Sequence, residues 1–101
     1  MSKMQVAITV TFETDAERYW VSIDDQDLNF TNGQAKAHVP TDQTLLMGWW
    51  VRGTPGSKYK LDVGAEEGYE VKGPFPVEGV IPSSTKAAGF PDFSVVKAKE
   101  A

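Results

Sequence analysis

This 101-residue sequence predicts an all-β fold, a sandwich or barrel, on three observations. Apolar residues recur with a period of two along most of the chain. Gly, Pro, Asn and Asp punctuate that alternation roughly every eight to twelve residues. No window carries the 3.6-residue period of an amphipathic helix, and only Ser83 to Ala88 admits a short turn of one.

Val6 to Glu13 gives the clearest strand. Val6, Ile8, Val10 and Phe12 form one apolar face, with Ala7, Thr9, Thr11 and Glu13 on the other. Thr14 to Glu17 breaks it. Arg18 to Ile23 resumes, with Tyr19, Val21 and Ile23 inward and Trp20 outward. Asp24 to Asp27 reads as a turn, and Leu28 and Phe30 share a face of a short strand. Asn32-Gly33 is a hairpin signal, because both residues tolerate positive φ. Gln34 to Val39 puts Ala35, Ala37 and Val39 on one side and Lys36 and His38 on the other.

The longest apolar stretch, Thr44 to Arg52, places Leu45, Met47, Trp49 and Val51 inward. Leu46, Gly48, Trp50 and Arg52 take the opposite phase. Pro55-Gly56 suits the central positions of a type II turn. Tyr59, Leu61 and Val63 then face inward, and the strands on either side of this turn are expected to pair as a central hairpin. Tyr69 and Val71 make a short strand. Pro74 and Pro76 exclude the next segment from a central strand. Val77 to Ile81 reads as an edge strand, Pro82 to Gly89 as a long loop, and Phe93 to Lys97 as the last strand.

Pro55-Gly56-Ser57-Lys58-Tyr59-Lys60-Leu61-Asp62-Val63 resembles the Pro-Gly-Thr-x-Tyr-x-Val-x-Val pattern of fibronectin type III domains. The resemblance covers these nine residues. It implies an immunoglobulin-like β-sandwich of about seven antiparallel strands, with Tyr59 bonding back to its loop as a corner tyrosine. One domain spanning 1–101 is expected, with a frayed tail from about residue 98.

Ten basic and fourteen acidic residues give a net charge of -4. The basic residues are spread singly, which argues against a nucleic-acid partner. No run approaches the ~18 apolar residues of a spanning helix, so no membrane insertion is expected. Met1 to Gln5 lacks the apolar core of a secretory signal. A cytoplasmic location is the default expectation, open if the chain is a mature or excised domain.

Catalytic chemistry has little to work with. There is no cysteine and one histidine, His38, outward on its strand beside Lys36. A Ser-His-acid triad needs an imidazole held between a carboxylate and a hydroxyl. The acids cluster in turns rather than facing each other across a cleft, as glycoside hydrolysis requires. No Gly-rich phosphate loop is present. We therefore expect no enzyme and no cofactor. Asp24, Asp25 and Asp27 are weak calcium candidates, since calcium favours oxygen clusters. They lack the spacing of an EF-hand, and Asp is common in turns because it caps local backbone donors.

The aromatics are more informative. Trp20 and Trp50 both fall on the phase opposite the core set of their own strands, and Arg52 shares that phase. Two outward tryptophans point to a binding face. One use is docking against another protein chain or a second copy of this one, since Trp is enriched at interface hot spots. The alternative is carbohydrate binding, with indole rings stacked on sugars.

Overall fold

The computed structural model describes residues 5–98. The expected frayed tail from about residue 98 lies, beyond Ala98, outside the described residues. The chain is all-β and forms two antiparallel sheets. No helix among the described residues is long and apolar enough to cross a membrane.

The strands are β1 (Gln5–Thr14), β2 (Arg18–Ile23), β3 (Gln26–Asp27), β4 (Gln34–Pro40), β5 (Leu45–Arg52), β6 (Lys58–Ala65), β7 (Tyr69–Lys72), β8 (Val77–Val80), β9 (Lys86–Gly89) and β10 (Asp92–Lys97). A four-stranded sheet runs β4-β1-β6-β8. A six-stranded sheet runs β3-β2-β5-β10-β7, with β9 also on β5. The inward phase of each long strand supplies the core: Val6, Ile8, Val10 and Phe12 from β1, Leu45, Met47, Trp49 and Val51 from β5, and Leu61 and Val63 from β6. Ile81, just past β8, is also buried.

Local chemistry sets the turns. Asn32 and Gly33 both adopt positive φ between the bridged Thr31 and Gln34, as the Asn-Gly signal requires. Gly56 sits at φ 93°, and Ser57 N–H donates to Thr54 O at 3.1 Å across the Pro55-Gly56 turn. Asp24 and Asp25 also take positive φ. They form a two-residue turn between β2 and β3, so the short strand is Gln26–Asp27, within the expected turn, and Leu28 and Phe30 lie outside it.

Three expectations are corrected. β5 and β6 do not pair. Each buries one apolar row toward the shared core, so they face each other from opposite sheets. Their connecting turn is tied to neighbours instead, Gly53 N–H to Thr85 O and Gly56 N–H to Ile81 O. The segment expected as a loop with a helical turn contains β9, because Lys86 to Gly89 completes the edge of β5. The same register carries through to β10, so Gly48 lies opposite Phe90. Finally, the Tyr59 hydroxyl makes no hydrogen bond among the described residues. Its ring packs on Trp49 at 5.4 Å and lies across Gly79, where a Cβ would meet the hydroxyl at 2.6 Å.

Candidate functional site

The outward phase of β2, β5 and the β9–β10 strand builds one continuous face. Antiparallel register arranges its residues in four rows. Arg18, Arg52 and Lys86 form the first. Trp20, Trp50 and Ala88 form the second, and Ser22, Gly48 and Phe90 the third. Leu46 and Asp92 lie in the fourth, beside Asp24 at the end of β2.

The tryptophan row is held in place from both sides. Trp20 and Trp50 stack with ring centroids 6.5 Å apart and planes 25° apart. The Trp20 indole N–H donates to Asp27 Oδ1 at 2.8 Å. Lys86 Nζ lies over the Trp50 ring, 5.8 Å from its centroid. Because β2 and β9 flank β5 on opposite sides, Trp50 is approached from one side by an indole and from the other by an ammonium. Both tryptophans are half-buried.

The third row is low on β2 and β5 and stands up only at Phe90. Gly48 has no side chain, and Ser22 is small and buried. The Phe90 ring lies beside Gly48, 3.4 Å from where a Cβ would stand. Phe90 is nevertheless 71% exposed, and Leu46 in the next row is 46% exposed. Two large apolar side chains thus remain uncovered beside the tryptophans.

The first row gathers three cations directly opposite one another on adjacent strands. Like charges in that relation destabilise a sheet. Among the described residues, none of the three forms an ion pair. The fourth row carries the opposite sign. Asp24 accepts the Leu46 N–H at 3.0 Å, and Asp92 stands across from Leu46.

The calcium candidates are not gathered into a site. Asp24 accepts the Leu46 N–H from the neighbouring strand, and Asp27 accepts the Trp20 indole N–H. No group of three or more His, Asp or Glu among the described residues is placed to hold a metal. His38 is exposed on β4, opposite Ala7 on the four-stranded sheet.

Of the residues expected at the binding face, Trp20, Trp50 and Arg52 are brought together. Arg18, Lys86, Leu46, Phe90 and Asp92 join them without having been singled out. One signal could have found Arg18: each outward tryptophan has an arginine two positions away, Arg18 before Trp20 and Arg52 after Trp50. In antiparallel strands that spacing aligns the two pairs. No protein-family model matches this chain, and no curated protein or solved structure matches it.

Proposed function

We propose that this protein is a non-catalytic interaction module, an immunoglobulin-like sandwich that docks a protein chain on the outer face of its six-stranded sheet. The observation that carries this reading is the Trp20–Trp50 stack beside exposed Phe90 and Leu46. Aromatic side chains held in one arrangement before binding lose little entropy on docking. Exposed apolar groups clustered with them are the usual mark of an interface. The two antiparallel sheets over one apolar core support the immunoglobulin-like class.

The carbohydrate reading is the weaker one. A stacking sugar needs a free ring face, and Trp50 already has Trp20 on one side and Lys86 on the other. Asp27, the acid nearest the indoles, already accepts the Trp20 N–H.

The test is the double variant Trp20→Ser, Trp50→Ser, compared with wild type by denaturant melt and by affinity electrophoresis in neutral and acidic polysaccharides. The reading expects a folded variant with nearly unchanged stability, because side chains outside the core contribute little to it. It also expects wild-type mobility to be indifferent to the polysaccharide. An unfolded variant would make the face structural, and retardation of wild type alone would make it a sugar site.

A further inference from the structure

We infer that the partner docked on this face is a second copy of the same chain, placed by a twofold axis that lies in the interface perpendicular to the strands. This rests on the docking reading above and adds the identity and geometry of the partner.

Along the strands the face runs from cations, through tryptophans, through Ser22, Gly48 and Phe90, to Leu46 between two acids. A twofold axis across the strands reverses that order and lays each strand over its own copy. The first row then meets the partner's fourth, and the second meets its third. Arg18 falls over Asp24 of the partner subunit, and Lys86 over Asp92 of the partner subunit. Trp20 falls over the partner's Ser22, and Trp50 over the partner's Phe90 ring where it lies against the partner's Gly48. In the two outer columns a cation meets an acid, while in the central column Arg52 falls over the partner's Leu46 and gains no counter-charge.

The competing arrangement, with the axis along the strands, fails on charge. It would lay Arg18, Arg52 and Lys86 over the same row of the other copy. Isologous interfaces require this self-complementarity. Here one relative orientation supplies it and the other opposes it. Two of the three cations in a row that is costly in the monomer, Arg18 and Lys86, gain counter-charges only in the first arrangement.

The patch is small. It spans three strands about 4.8 Å apart and four rows about 7 Å apart. That is below the ~800 Å² per partner of a standard complex, so the dimer is weak. Sedimentation equilibrium must therefore reach about 1 mM protein.

The experiment uses three variants of the full chain: Lys86→Glu, Asp92→Lys, and the two combined. Each single change opposes like charges twice across the axis. Each is expected to raise the dissociation constant about tenfold or more. The combined variant restores opposite charges and is expected to return to near the wild-type constant. A mixture of the two single variants is expected to form a one-to-one heterodimer, since both of its contacts then pair opposite signs. Circular dichroism melts confirm that the variants are folded.

Mass independent of concentration up to about 1 mM would overturn the second copy as partner, while the docking reading would still stand or fall by its own melt and electrophoresis. Association that survives both charge reversals and the Trp20→Ser, Trp50→Ser change would place the contact elsewhere and overturn both. Failure of the combined variant or the mixture to dimerise would overturn the twofold geometry.

Discussion

On the outer face of the four-stranded sheet, Lys60 sits in register between Glu13 and Glu78. On the outer face of the six-stranded sheet, Arg52 sits in register between Arg18 and Lys86. The first row alternates in sign and compensates itself. The second repeats one sign. The rest of each face follows the same contrast. Thr9, Thr11, Lys36, His38 and Asp62 make the first mostly polar, with Val80 its one exposed large apolar side chain among the described residues. The second carries Trp20, Trp50, Leu46 and Phe90. Both faces come from the same period-two alternation, so period alone does not distinguish solvent from partner. The distinction lies in which outward residues the register sets side by side.

Both outer faces follow from the inward phase of the strands, and the largest expected effect tests that phase. Val10→Asp places an unpaired charge in a fully buried position at the centre of β1. The penalty is on the order of several kcal/mol, against a total stability of ~5–15 kcal/mol. The variant is expected to be unfolded by circular dichroism. A cooperative melt near the wild-type temperature would reverse the assignment of β1's faces.

A smaller pair of effects separates the two sides of β5. Trp49 is 5% exposed and packs in the core, while Trp50 points outward. Trp49→Ser is expected to cost ~3–5 kcal/mol. Trp50→Ser removes a cross-strand pair and is expected to cost about 1 kcal/mol or less. Denaturant melts of the two single variants measure the difference. Equal costs would mean that the tryptophan row belongs to the fold rather than to the face.

The smallest expected effect sharpens the charge contrast itself. In dilute protein, Arg52→Glu puts an acid between two cations and is expected to raise the melting temperature slightly. Lys60→Glu sets three acids in a row and is expected to lower it. Both shifts should shrink at high salt, because the charges are exposed and screened. A fall with Arg52→Glu would show that the cation row carries no strain to relieve.

Much of this was legible before any tertiary structure. Alternation assigned the inward faces of β1, β2, β5 and β6, because a half-buried strand must alternate to cover a core. Asn32-Gly33 and Pro55-Gly56 marked their turns because few other pairs reach those backbone angles cheaply. The same alternation put Trp20, Trp50 and Arg52 outside. Strand adjacency was not legible. Between β5 and β6 a short turn suggested a hairpin, yet the chain crosses to the other sheet there. β9 was hidden among prolines and small residues, and with it the positions of Lys86 and Phe90.

What the sequence determined by itself was therefore local: which residues face inward, where the chain turns, and that two tryptophans and an arginine point away from the core. Those properties depend on steric limits and hydrophobic period within a few residues. Only the tertiary structure decided that Trp20 stacks on Trp50, that Phe90 covers Gly48, and that Arg18, Arg52 and Lys86 share a row. These contacts join strands separated by tens of residues. Their register is fixed by the packing of two whole sheets over one core, which no short window of sequence contains.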